Sequence, residues 1–122
     1  MPLQYKHLRG RSDFQPLLAT LLAKTRALLP TKVGAWPAIE SIVMQLDAIR
    51  RWTDQGRDPL PDERASITIG VLVVRELEPA PDAAMAEYNE QLVELTDYFK
   101  RWLTDEALAS FDEDDLLGDF YD

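Results

Sequence analysis

The stretch ITIGVLVVRELEP, residues 67–79, constrains the fold most, because its composition suits two opposite structures. It contains five isoleucine and valine side chains, which are typical of a buried strand. A lone strand would leave its backbone hydrogen-bonding groups unpaired. No Asn-Gly or Asp-Gly turn stands beside the stretch to indicate a partner strand. We therefore interpret it as part of a helix.

We predict this helix from about Pro61 to Glu78. Pro61 suits a first helical turn, and Asp62 and Glu63 favour the positive end of the helix dipole. The apolar residues are then Ile67, Ile69, Val71, Val73, Val74 and Leu77. Because such a helix is apolar nearly all round, we predict that it is buried at the centre of a bundle.

Proline residues mark the boundaries of further helices, since proline is tolerated in the first turn and disrupts the interior. One helix is predicted over residues 12–29, with Ser12 and Gln15 at the spacing of a capping box. Another is predicted over residues 36–56, where leucine, isoleucine and valine recur every three or four positions. Both patterns indicate amphipathic helices.

The last main helix is predicted over residues 81–103, with a short helix capped by Thr104 after it. Its apolar face consists of Met85, Tyr88, Leu92, Leu95, Phe99 and Trp102. We therefore predict an all-α fold, a compact bundle of four main helices plus a short C-terminal helix and acidic tail. The helical bundle domain is assigned to residues 12–104, between a basic N-terminal extension (1–11) and an acidic C-terminal segment (105–122).

Charge and composition restrict the possible partners. The formal net charge is −9, and residues 105–122 contain eight acidic residues and no basic one. Because an acidic surface repels phosphate groups, nucleic acid is not an expected partner, whereas a basic protein would be attracted. The absence of cysteine excludes disulfides and thiolate chemistry. No apolar run approaches the roughly 20 residues that cross a bilayer, so we predict a cytoplasmic protein with no membrane partner.

A search for catalytic and metal-binding motifs predicts no enzyme. The chain contains no Walker loop and no GxGxxG, HExxH or GxSxG pattern. The only histidine, His7, is expected to be a solvated surface side chain. The acidic run at 112–115 lacks the spacing of an EF-hand loop, and Glu76 and Glu78 would face apart on a helix. We therefore predict no catalytic residues, no metal and no cofactor.

Two of the predicted helices carry a pattern that resembles a known family. The matching residues are Pro37, Gln45, Ile49, Arg50, Thr68, Gly70, Val74, Arg75 and Glu76. Over roughly residues 13–98, the chain resembles the small helical immunity proteins that protect bacteria from type VI secretion NAD(P)⁺ glycohydrolase toxins. The resemblance implies an all-helical antitoxin that binds a cognate toxin domain and occludes its active site. The alternative is a small acidic secretion chaperone or adaptor for an effector.

The predicted contact residues are mainly acids, because a toxin cleft that binds a dinucleotide must attract phosphate. Trp52 and Trp102 are expected to seal the ends of the bundle, whereas Trp36 is a possible partner anchor. The candidates for the toxin interface are Trp36, Glu40, Arg75, Glu76, Glu78, Asp82, Asp112, Glu113, Asp114 and Asp115.

Overall fold

The computed structural model describes residues 5–29, 36–104 and 106–107, and no strand occurs in these ranges. Its α-helices are α1 (Phe14–Leu28), α2 (Trp36–Trp52), α3 (Pro61–Ala65), α4 (Ile69–Leu72) and α5 (Ala83–Arg101). A π-helical turn, Val73–Leu77, continues α4, and short 3₁₀ turns precede α1 and follow α2. The prediction of an all-α fold is confirmed.

The longer helices and α4 form a ring around one core. Helix α1 packs against α2 and α5, and α4 packs against the same two helices. The fully buried side chains come from every member of the ring and include Leu18, Leu21, Ile39, Ile42, Leu46, Ile49, Ile69, Leu92 and Leu95. Helices α1 and α4 therefore occupy opposite corners of the ring.

The continuous helix predicted from Pro61 to Glu78 is wrong, because the chain leaves the helical path between α3 and α4. In a continuous helix, the Thr68 N–H would donate to the Arg64 carbonyl four residues earlier. It donates instead to Gln45 Oε1 on α2, at 2.7 Å. This side-chain acceptor replaces the intrahelical bond and allows a new helix to begin at Ile69.

The position predicted for this segment, at the centre of the bundle, is also wrong. Ile69, Val73 and Leu77 are buried, but Val71 and Val74 are 55% and 65% exposed. Residues at four-residue spacing drift by roughly 40° per step around an α-helix, and the wider π turn after Leu72 offsets that drift. The three buried residues thus remain on one side, and the remaining valines face solvent.

The helix that other elements cover on most sides is α5, which we call the enclosed helix, and its buried polar residues indicate this. Besides its apolar face, α5 buries the polar residues Asn89, Gln91, Glu94 and Thr96. The predicted apolar face is confirmed, with Tyr88, Leu92, Leu95 and Phe99 buried and Met85 and Trp102 partly buried. Polar residues are rarely buried unless another element covers them and supplies hydrogen bonds.

The element that covers Glu94 is the N-terminal segment, residues 5–11, whereas Asn89 donates to the Leu77 carbonyl and Gln91 accepts from Lys24 on α1. Tyr5 and Leu8 are 3% and 0% exposed and belong to the core. The Tyr5 hydroxyl donates to Asp97 at 2.5 Å, and the backbone N–H of Leu8 donates to Glu94 Oε1 at 2.8 Å. The segment predicted to be a basic extension thus packs along α5, with polar contacts that its composition does not reveal.

Aromatic residues close the end of the bundle where α1, α2 and α5 meet. Trp52 stacks on Phe99 with ring centroids 6.3 Å apart, and Trp102 meets Phe14 edge to face at 5.2 Å. The Arg11 guanidinium lies 4.5 Å from the centre of the Trp102 ring. The expectation that Trp52 and Trp102 seal the bundle is confirmed.

The capping box predicted at Ser12 is wrong. Ser12 lies within the 3₁₀ turn Arg11–Asp13, and α1 begins only at Phe14. The Gln15 side chain instead donates to Thr53 Oγ1 at 2.8 Å and so joins the start of α1 to the end of α2. At the other end of the described chain, Thr104 Oγ1 accepts from the Ala107 N–H at 3.1 Å, as the predicted cap requires. The rest of the predicted C-terminal helix and tail lies outside the described residues.

One carboxylate, that of Asp47 on α2, forms ion pairs with three arginine side chains. Its oxygens lie 2.8 Å from Arg50, 3.9 Å from Arg51 and, across to α1, 3.6 Å from Arg26. The hydrogen bond from Arg50 is the main cause that lowers the pKa of Asp47, and the three positive charges add to it. The folded state therefore favours the ionised form.

Replacing Ile69 should destabilise the fold far more than replacing Val71. We expect Ile69→Ala to lower the free energy of unfolding by about 2–4 kcal/mol because it opens a cavity in the core. Val71→Ala should cost less than about 0.5 kcal/mol, since its side chain is mostly in solvent. Urea denaturation measures both values. Equal losses would contradict the assignment of Val71 to the surface.

Replacing Asp47 should produce a stability loss that depends on pH. We expect Asp47→Asn to cost about 0.5–1 kcal/mol at neutral pH, because the ion pairs are partly exposed. The pKa of Asp47 is lower in the folded chain than in the unfolded chain, so its stabilisation is complete above the unfolded value and disappears as the pH falls through the folded value. Urea denaturation at several pH values should show the two proteins converging below about pH 4. A loss of equal size at low pH would refute the electrostatic origin, and Asp54→Asn, at an exposed site, provides the control.

Candidate docking surface

Three exposed apolar side chains lie on α2 and on the α4–π segment. Met44, Val71 and Val74 are 66%, 55% and 65% exposed. Single exposed apolar residues are common, whereas groups of them are typical of interaction sites. Their position relative to one another therefore decides whether they form a surface.

Hydrogen bonds between Gln45 and Thr68 bring the two helices together at this point. Gln45 Oε1 accepts from the Thr68 N–H at 2.7 Å, and Gln45 Nε2 donates to Thr68 Oγ1 at 2.9 Å. Met44 precedes Gln45 in α2, and Val71 lies one turn beyond Thr68. These two bonds, here called the Gln45–Thr68 joint, connect the turn of α2 that contains Met44 to the start of α4, on which Val71 and then Val74 follow.

Charged residues flank these side chains. Glu40 is exposed one turn before Met44 on α2, and Arg75 and Glu76 are exposed directly after Val74. We call the set Met44, Val71, Val74, Glu40, Arg75 and Glu76 the docking surface. Within the described part of the chain, Arg75 and Glu76 form no ion pair or side-chain hydrogen bond, so their charges are available to a partner.

Two other predicted contact residues have structural roles beside this surface. Asp82 is the N-cap of α5, where its Oδ1 accepts from the Met85 N–H at 2.9 Å. Glu78 Oε2 lies 3.5 Å from the Asn89 side-chain nitrogen, which also donates to the Leu77 carbonyl. Both carboxylates are exposed, but changing Asp82 would also remove a cap.

The remaining predicted contact residues cannot be placed on this surface. Trp36 begins α2, but its side chain lies outside the described residues. The acidic residues at 112–115 also lie outside them. The docking surface therefore unites Glu40, Arg75 and Glu76 from the predicted set.

The sequence interpretation missed the apolar half of the docking surface. Met44 falls outside the stripe of Ile39, Ile42, Val43, Leu46 and Ile49. The four-residue spacing of Ile69, Val73 and Leu77 could have indicated that Val71 and Val74 lie on another face. That signal was obscured because apolar residues also occupy most of the other positions between Ile67 and Val74.

A shallow depression lies between α3 and α5. It is lined by Pro61, Arg64, Ala65 and Lys100. Arg64 Nη1 donates to the Lys100 carbonyl at 3.2 Å and thus satisfies a carbonyl in the last turn of α5. The lining presents two cationic side chains with no carboxylate or hydroxyl beside them.

Comparison with known proteins provides no relative for this chain. No family model matches the sequence, and neither the curated proteins nor the solved structures include a significant match. Among the described helices, none combines the length and the apolar character needed to cross a membrane.

Removing the Gln45 side chain should loosen α4 without unfolding the protein. We expect Gln45→Ala to cost about 1–2 kcal/mol because it leaves the Thr68 N–H without its acceptor. Hydrogen exchange should become faster at Thr68 and in α4, while α5 keeps its protection. Gln55→Ala, at an exposed position after α2, is the control. Unchanged exchange at Thr68 would contradict the role of this joint.

Proposed function

We propose that this protein is an immunity protein that binds a cognate interbacterial NAD(P)⁺ glycohydrolase toxin and occludes its active site. The observation that carries the proposal is the docking surface, where exposed apolar side chains lie between unpaired charges. The resemblance to the immunity proteins supports the proposal, because its matching residues include Gln45 and Thr68. These residues form the joint that presents the surface.

The charge of the chain suits such a partner. A site that binds the phosphates of a dinucleotide has to be electropositive, and this chain has a net charge of −9. Glu40 and Glu76 add exposed carboxylates to the docking surface itself. Complementary charge accelerates encounter and orients the partners, so the inhibitor would capture its toxin before much cofactor is consumed.

The apolar side chains provide the other requirement, slow dissociation. Met44 is 66% exposed and has a flexible, polarisable side chain that adapts to the pocket of a partner. Val71 and Val74 are rigid and lose little conformational entropy when they are covered. Apolar contacts that exclude water near the centre of an interface usually dominate its affinity.

The direct test is co-expression with an NAD(P)⁺ glycohydrolase toxin domain, sought first in the neighbouring open reading frame. We expect this protein to restore growth and the cellular NAD⁺ content in cells that produce the toxin. Protection from a toxin that leaves NAD⁺ intact would refute the proposed target. Unchanged toxicity combined with altered export would instead support a secretion chaperone or adaptor.

Val71→Arg should weaken toxin binding. An arginine there removes an apolar contact and faces a partner that is itself basic, so the affinity should fall by about 10- to 100-fold. Calorimetry or surface plasmon resonance measures the change. Ala23→Arg on α1, at the opposite corner of the ring, introduces the same side chain at another exposed position and should leave the affinity unchanged. Equal affinities for the two variants would exclude Val71 from the interface.

Glu76→Lys should mainly slow association. Reversing a charge in the docking surface is expected to lower the association rate by about tenfold at low salt and by less at high salt. Asp54→Lys changes the net charge by the same amount at the turn after α2 and is the matched control. An identical rate loss in both variants would indicate a general effect of net charge and would contradict local complementarity.

A further inference from the structure

His7, Glu90 and Glu94 meet at a point between the N-terminal segment and α5. One ligand-type atom from each residue lies within 4.8 Å of the other two. His7 Nε2 and Glu90 Oε1 are 3.5 Å apart. Atoms that share one metal ion at about 2.0–2.2 Å necessarily lie roughly 3–4 Å apart. The cluster is therefore near the dimensions of a metal site.

Helical spacing and backbone contacts assemble this cluster. Glu90 and Glu94 are four residues apart on α5, so their side chains point to the same side of the helix. Glu94 is 2% exposed, and its Oε1 accepts the backbone N–H groups of His7 and Leu8 at 2.7 and 2.8 Å. These bonds hold the carboxylate in place and position the chain at His7 over it.

His7 supplies the observation that sets this cluster apart from an ordinary group of acids. Its Nε2 atom is buried and has no hydrogen-bond partner among the described residues. Buried polar atoms of this kind are few in folded proteins, and contact with an ion or a water molecule is a recognised explanation. The Nε2 lone pair of a neutral imidazole is also a favoured ligand for transition metals.

We propose that His7, Glu90 and Glu94 bind a divalent transition-metal ion that fastens the N-terminal segment to α5. One nitrogen and two carboxylate oxygens match the ligands of zinc, whereas calcium and magnesium require mostly oxygen. The Glu90 side chain is 44% exposed, so the ion can enter from solvent and water can complete its coordination. The two N–H bonds to Glu94 provide the outer support that oriented metal ligands usually have.

Lys6 is the one positive side chain seen at the cluster in the described residues. Its Nζ lies 3.4 Å from Glu90 Oε1, the same oxygen that faces His7. An ammonium group at this distance neutralises Glu90 when the ion is absent and competes with the ion for the carboxylate. Lys6 is 67% exposed and can turn away when a metal binds.

Zinc binding to the full-length, untagged chain tests the proposal. Isothermal titration should show one dominant site, and zinc at roughly 100 times its Kd should raise the Tm by about 5–10 °C. Because many surface acids bind zinc weakly, the variants decide whether the site is this cluster. Loss of a ligand, in His7→Gln or Glu90→Gln, should weaken binding by at least the roughly 10- to 100-fold that follows loss of ligand support.

Matched controls distinguish zinc binding at this cluster from weak zinc binding to other surface acids. Glu87→Gln makes the same chemical change as Glu90→Gln at another exposed position of α5 and should retain zinc binding. Lys6→Gln removes the competing cation and should bind zinc at least as tightly as the unchanged chain. Since the backbone bonds from residues 7 and 8 to Glu94 do not involve the imidazole, His7→Gln should still fold, and Glu90→Gln changes only an exposed side chain.

If the unchanged chain binds no zinc, or if His7→Gln and Glu90→Gln bind it as tightly as Glu87→Gln, the cluster is not a metal site. Cobalt provides an independent readout, because an ion held in a four-coordinate site by one imidazole and two carboxylates should absorb visible light more strongly than aqueous cobalt, and His7→Gln should lose that added absorption. The experiments involve no toxin, so their outcome is independent of the proposed function.

Discussion

The fold depends on one buried carboxylate, that of Glu94 in α5. A carboxyl group that is 2% exposed would be costly without hydrogen-bond partners, and here it accepts the backbone N–H groups of His7 and Leu8. The N-terminal segment and α5 thus need each other. The segment brings Tyr5 and Leu8 into the core, and the helix can then keep Glu94 inside the protein.

This interaction determines which helix is enclosed and which surface is left to solvent. Because residues 5–11 cover the far side of α5, that helix has a partner around most of its circumference. Among the described elements, helix α4 packs mainly against α2 and α5 and lies at a corner of the ring. Its second apolar side, with Val71 and Val74, is exposed, as is Met44 on α2, and these side chains form the apolar part of the surface proposed to bind a toxin.

Sequence periodicity predicted the class of the fold and much of its detail. The apolar face of α5 and the sealing role of Trp52 and Trp102 agree with the structure, because each depends on local spacing. The segment from Pro61 to Glu78 was predicted less well. The dense run of apolar residues from Ile67 to Val74 hides which side is buried, and the break before α4 depends on Gln45, which lies more than 20 positions earlier.

The sequence by itself determined the helical class, the approximate extent of the long helices and the acidic character of the chain. Only the tertiary structure decided that α5 is the enclosed helix, that Gln45 bonds to Thr68, and that His7 meets Glu90 and Glu94. The physical reason is that periodicity records which residues can share a face. Whether that face is covered depends on contacts such as His7 with Glu94, whose partners are 87 positions apart.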